Sequence, residues 1–235
     1  MRVRVHLVPG DAPERAERRG WLGIAIDVLR ATTTLSVALA NGAHRVVPVA
    51  EPSAALALRA ADAQALACGE RGGRMLPGFD LGNSPFEYAA DRVAGRTLAF
   101  ASTNGSQALI ALEGSEARWL GAFVSATALL RALEHAPRVR MVCAGRLGAF
   151  ALEDAACAGW LCARLAAHGA TLDNAAARLV ADLAPRDAGE IRRVVESSAH
   201  ARDLVALGPE YARDVAFCAT LDALDHAFTL DATRA

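Results

Sequence analysis

Residues 98-LAFASTNGSQALIAL-112 carry the pattern that decides the fold. An apolar run that reads as a buried strand gives way to five small polar residues, Ser102 to Ser106, and apolar residues then resume at helical spacing. Strand, small polar loop and helix is the order in which helix-opening N–H groups can grip an anion. The order recurs in 22-LGIAIDVLRATTT-34, where Asp27 follows an apolar strand and Arg30 to Thr34 open a helix. Continuous apolar runs such as LGIAI and 140-RMVCA-144 suit strands buried on both faces, as in a mostly parallel sheet with helices on each side.

To either side the alternation continues. Strands are expected at 3–8, 22–26, 45–49, 96–101, 117–121 and 139–144, with helices at about 32–40, 53–67, 106–112, 126–135 and 152–168. Gly42, Gly114 and Gly169 stand where helices should stop. The stretch 69–85 is rich in glycine and proline and reads as a long excursion. After Thr171 the strand signal ends, leaving polar helices broken at Pro185, Gly189 and Gly208-Pro209. The expectation is one α/β domain over 1–235, a three-layer α/β/α arrangement on a mostly parallel or mixed central sheet. Residues 171–235 would form a mainly helical cover.

Composition narrows the classes. With 235 residues, 53% hydrophobic and 22% charged, the chain can bury a sizeable core. A formal net charge of -1 gives no electrostatic case for nucleic acid or an anionic membrane. No run approaches membrane-spanning length, and 1-MRVRVHLVPGDAPERAERRG-20 lacks the apolar centre of a signal peptide. Five cysteines, odd in number and set in apolar surroundings, suit reduced thiols in a cytoplasm. The six histidines show no metal-ligand spacing. The composition leaves assembly into a homo-oligomer open.

Four polar clusters fall at or near strand ends, where open α/β sheets bind ligands. The first is Asp27 with Arg30, a carboxylate and a guanidinium delivered to one mouth by a buried strand. The second, 69-GERGGRMLPGFDLGNSP-85, sets Glu70, Arg71, Asp80 and Asn83 among glycines that permit close backbone approach. The third is Thr103 to Ser106. The fourth, 143-CAGRLGAFALEDAACAG-159, brings Glu153 and Asp154 into a first helical turn. That position suits the helix dipole without further cause, though adjacent carboxylates can also hold a hard cation. The spacing of Cys68 and Arg74 fits a cysteine-phosphatase loop only loosely. Glu70 would repel a phosphate dianion there, and Pro77-Gly78 cannot open the helix such a loop needs. Arginines, N–H-rich loops and several carboxylates together point to a small polyanion bound with magnesium, the set that phosphoryl transfer asks for.

In order and spacing, "DVLRATTT", "GERGG…GFDLGNSP", "STNGSQAL" and "CAGRLGAFALEDAACAG" are similar to the 2-phosphosulfolactate phosphatase (ComB) family. Weaker similarity runs through "SSAHARDLVALG" and "RDVAFC". The resemblance implies a compact α/β/α fold and a magnesium-dependent phosphatase giving sulfolactate on the route to coenzyme M. It nominates Asp27, Arg30 and Asp80 as catalytic residues, with Glu70 as a further candidate. It assigns Arg71, Asn83, Thr103, Asn104, Gly105 and Ser106 to substrate and phosphate binding. Asp27, Asp80, Glu153 and Asp154 become candidate magnesium ligands. Departures include Ser102 and Ser106 in place of threonines, Ser125 where asparagine is common, Ala151 in place of a serine, and the end 226-HAFTLDATRA-235. A competing reading on the same scaffold is a non-catalytic protein that binds a phospho-metabolite.

Overall fold

A computed structural model describes residues 1–230; residues 231–235, part of the divergent C-terminal end, lie outside the described residues. Nine strands and ten helices alternate for most of that length. They run β1 (Arg2–His6), β2 (Leu22–Ile26), α1 (Ala31–Ala40), β3 (Arg45–Pro48), α2 (Pro52–Ala61), β4 (Ala65–Arg71) and β5 (Arg74–Met75). Then come α3 (Ala90–Val93), β6 (Thr97–Ala101), α4 (Gly105–Ile110), β7 (Ala117–Gly121), α5 (Ala126–Ala132), β8 (Arg138–Cys143), α6 (Leu152–Ala167) and β9 (Thr171–Leu172). Four helices follow: α7 (Ala175–Asp182), α8 (Ala188–Ser197), α9 (Ala199–Val205) and α10 (Pro209–Cys218). The α/β class and the helical C-terminal region are as the sequence suggests.

The strands divide between two sheets. One is wholly parallel, ordered β7-β2-β8-β1-β9; the other is ordered β3-β6-β4-β5, with only β5 antiparallel. Val3, Val5, Ile24, Ile26, Met141 and Cys143 turn to one face of the first sheet and pack with Trp160 and Leu161 of α6 and Val180 of α7. Ala25, Leu120 and Val142 turn to the other face and share a core with Leu98 and Phe100 of the second sheet. Leu35 and Leu39 of α1 and Leu109 of α4 fill the space between. Helix α1 is buried nearly all round, as a helix apolar on every side must be. The middle helical layer thus serves both sheets, and α2 covers the outer face of the second through Ala55, against Ala67, Ala99 and Ala101.

Two elements differ from the sequence reading. The helix expected over 53–67 stops at Ala61, and 65-ALACGER-71 is a strand inside the second sheet. Gly69 explains why the run looked irregular: it sits at φ 136, where a Cβ would stand 1.8 Å from the Ala101 carbonyl oxygen. Only glycine can carry β4 that close to β6. The short β9 adds a further edge strand on β1. Finally, the segment 228–230 ties the sheets together. Leu120 N–H donates to the Phe228 carbonyl (3.0 Å), Leu230 N–H to Arg118 (3.2 Å), and Val46 N–H to the Leu230 carbonyl (2.7 Å).

Candidate active site

The carboxyl ends of β2, β4 and β6, drawn from both sheets, open onto one cavity of about 390 Å³. Asp27, Arg30, Glu70, Asn83, Thr103 and Asn104 line it, from three of the four sequence clusters, and the fourth reaches it through Arg146 and Leu147. His200, Asp203 and Leu204 of α9 close its far side, together with Arg146 and Leu147.

Asp27 leaves β2 and enters the turn before α1. Its main chain is fixed by Thr32, whose hydroxyl donates to the Asp27 carbonyl (2.8 Å) and accepts from the Asp27 N–H (3.0 Å). Asp27 as a whole is 5% exposed. Burial pushes its pKa up from 3.8 to about 7; Glu70 and Glu153 add repulsion, and His200 works the other way. A Cβ on Gly105 would come within 2.5 Å of Asp27 Oδ2 and 2.4 Å of Ala31 Cβ, so α4 seats directly against the carboxylate.

Arg30 is buried, and Asp214 of α10 holds it at 2.5 Å; its other terminal nitrogen donates to the Gly73 carbonyl at 2.7 Å. The Tyr211 ring lies 4.9 Å from its guanidinium carbon. Ser84 Oγ donates to the second oxygen of Asp214 (2.7 Å), so the acid is satisfied on both sides. The result is a fixed positive charge in the cavity wall.

Glu70 acts as a brace. Its Oε1 accepts from Thr103 N–H and its Oε2 from Gly73 N–H, both at 2.7 Å, which binds the β4–β5 turn to the loop after β6. In that loop Ser102 and Ser106 bond reciprocally, each N–H to the other's hydroxyl, at 2.8 and 2.9 Å. The Ser106 hydroxyl also donates to the Phe100 carbonyl (3.1 Å). Ser106 therefore shapes the loop from below, and Thr103 and Asn104 face the cavity. Asn83 Oδ1 is a buried acceptor with no partner in its wall, while Thr34 Oγ1 fixes its carbonyl at 2.9 Å.

Glu153 and Asp154 open α6 beneath the cavity, both almost fully buried. Asp154 accepts Val28 N–H (2.8 Å) and Gly145 N–H (3.0 Å), stitching the ends of β2 and β8 together. Burial, with the charges of Asp27 and Glu153, pushes its pKa well above the usual carboxylate range. Glu153 Oε1 lies 3.0 Å from His200 Nδ1.

Two nominated residues stand apart from this group. The Arg71 guanidinium donates to the carbonyls of Glu70 (2.8 Å) and Ala50 (3.2 Å). Asp80 accepts Ala67 N–H (2.8 Å) and pairs with Arg59 (3.2 Å). Neither lines the cavity. Cys68 is buried, with its thiol pushed up to about 12 by that burial, so it offers no thiolate. His200, Asp203 and Asp214 were not nominated from the sequence, although they lie in "SSAHARDLVALG" and "RDVAFC".

A family profile described as 2-phosphosulpholactate phosphatase matches residues 7–232. A probable 2-phosphosulfolactate phosphatase of Symbiobacterium thermophilum is 38% identical over 216 residues, covering 90% of this chain and 92% of its own. One from Synechococcus sp. (strain JA-3-3Ab) is 40% identical over 205 residues, covering 86% of this chain and 85% of its own. One from Thermotoga maritima is 36% identical over 199 residues, covering 85% and 84%. Among the described residues no helix is long and apolar enough to cross a membrane.

Proposed function

The chain belongs to the 2-phosphosulfolactate phosphatase family of phosphoric monoester hydrolases, and from that premise we propose that it hydrolyses 2-phosphosulfolactate, or a similar 2-hydroxycarboxylic acid phosphate, with magnesium as cofactor. The observation that carries the reading is the meeting of Asp27, Arg30, Asn83, Thr103 and Asn104 around one cavity at the strand ends. With 2-phosphosulfolactate the products are sulfolactate, a precursor on the coenzyme M route, and inorganic phosphate. All five cysteines are unpaired and buried, which suits a reducing cytoplasm.

The donor set fits magnesium in its usual mode of one or two carboxylates plus substrate oxygens and water. Both oxygens of Glu70, Asp80 and Asp154 already accept hydrogen bonds. Asp27 and Glu153 remain to hold the ion, and among the described residues no cluster of three or more His, Cys, Asp or Glu forms a ready cage. Asp27, Glu70, Glu153 and Asp154 crowd four acids together, while Arg30 is matched by Asp214. Bound there, the ion would offset phosphate charge and polarise a phosphoryl oxygen.

The protein's own groups divide the remaining work. Arg30 presents its fixed charge to the phosphoryl oxygens, and Asn104, in the loop that Glu70 braces through Thr103, offers its N–H and side-chain amide to them. Asp27 lines the cavity at the mouth of β2, where its carboxylate would hold the ion and orient the attacking water. The test is phosphate release from 2-phosphosulfolactate and from 2-phospholactate, each with magnesium and with EDTA. Magnesium-dependent release favouring the sulfonate is expected. Release from neither, by a folded protein, would turn the reading to a phospho-metabolite binder.

A further inference from the structure

A 2-phosphosulfolactate molecule carries two acidic groups besides its phosphate, so its site needs a cation away from the phosphorus. Among the described residues lining the cavity, the arginines are Arg30 and Arg146. Arg30, held in place by Asp214 and the Gly73 carbonyl, serves the phosphoryl oxygens in the reading above and so is not the cation for the remote acid. Arg71, which the sequence offered for this task, is tied to main-chain carbonyls outside the cavity.

Arg146 combines a fixed backbone with a loosely held side chain. Its N–H donates to the Ala149 carbonyl (2.8 Å) and its carbonyl accepts from Ala149 N–H (3.0 Å), closing a two-residue turn. Leu147 and Gly148 both sit in the left-handed region, at φ 50 and 81, as the primed hairpin turn requires. Asp154 holds the turn at its base through Gly145 N–H, and Asn104 Oδ1 holds its tip through Leu147 N–H (3.1 Å). The side chain is 36% exposed and pairs with Asp203 of α9, itself 56% exposed. An exposed pair of this kind contributes little and exchanges readily.

We propose that Arg146 is the specificity residue of this site. On binding, its guanidinium leaves Asp203 and takes the ligand's acidic group remote from the phosphorus, carboxylate or sulfonate, through a two-pronged contact. Asp203 holds the arginine at the rim of the free protein and competes with the ligand for it. This builds on the phosphatase reading above and gives the C-terminal helices a part in substrate choice.

Calorimetric titration of sulfolactate, which carries both acidic groups and no phosphate, reads Arg146 without any turnover. Arg146→Gln should weaken binding about tenfold to a hundredfold, the worth of a charge-assisted contact. Arg146→Lys should recover part of the loss, since an ammonium keeps the charge but not the fork. Asp203→Asn should tighten binding about two- to fivefold, the strength of an exposed pair. In turnover, the ratio of kcat/KM for 2-phosphosulfolactate over isopropyl phosphate, an ester with no second acid, should fall about tenfold in Arg146→Gln. An equal loss on both esters overturns the proposal. So does sulfolactate binding that is absent in the wild type or unchanged in Arg146→Gln. If the wild type releases phosphate from no ester, the phosphatase reading fails alone, because the titration still decides Arg146.

Discussion

Replacing Asp27 by asparagine should abolish turnover and at the same time stabilise the protein. Asp27 is 5% exposed, and burial lifts its pKa from 3.8 to about 7. At about 1.36 kcal/mol per pKa unit, ionising it inside the fold costs about 4 kcal/mol. The sign follows from linkage: a raised acid pKa means the native state holds the proton more tightly. Its stabilising share is whole below 3.8 and is lost as pH rises through about 7. Asparagine is neutral throughout, so the variant's advantage should be small near pH 4, grow toward pH 7 and stay level above it. Urea unfolding in EDTA across that range measures this directly. Above neutrality the midpoint should move up by about 1 to 2 M, taking a slope of about 2 to 3 kcal/mol per M for a chain of this size. Phosphate release should drop by at least about a hundredfold. A variant less stable than wild type at every pH would show that the charged carboxylate holds the fold together. One with unimpaired turnover would remove Asp27 from the chemistry.

Four other changes test the surroundings. Asp214→Ala leaves the buried Arg30 without its counter-ion, and denaturant titration should show a loss of about 3–5 kcal/mol with a raised KM. Gly159→Ala would push a methyl to 2.2 Å from the Val180 carbonyl oxygen, where α6 meets α7; a cost of about 1–3 kcal/mol is expected in the same assay, with kcat unchanged at temperatures where the variant is folded. Arg71→Ala should keep kcat/KM within about threefold of wild type and lose about 1 kcal/mol of stability, because its partners are main-chain carbonyls. Cys68→Ser should retain phosphate release, and in the native wild type Cys68 should resist thiol alkylation, since the thiol is buried and its pKa stands at about 12.

The sequence was most legible where one local rule decided the outcome. LGIAI is apolar without interruption because β2 is flanked by β7 and β8 and covered on both faces, so its place in a parallel sheet could be read directly. The polar loop after β6 was equally plain, and it does reach the cavity through Thr103 and Asn104. β4 was hidden because its Gly69 and its Glu70-Arg71 pair imitate a turn; the reason for that glycine is the Ala101 carbonyl on a neighbouring strand, which only tertiary structure supplies. Division into two sheets was likewise out of reach, since α1 looks the same under one sheet as between two. In the site, local patterns found Asp27, Arg30, Asn83, Thr103 and Asn104. They could not separate Arg71 and Asp80, which serve neighbouring backbone, from residues facing the cavity. His200, Asp203 and Asp214 lie on helices whose polar faces resemble any solvated surface, and only their distant partners give them meaning.

The tie at 228–230 makes the two sheets answerable to each other. Asp27 comes from the first sheet and Glu70 and Thr103 from the second, so separating the sheets would pull the cavity apart along its seam. The Leu120 and Val46 amides, one on each side of that segment, are therefore natural gauges of docking. Followed by hydrogen–deuterium exchange, they would register loosening of the seam in the unmodified protein, with no probe placed near the cavity.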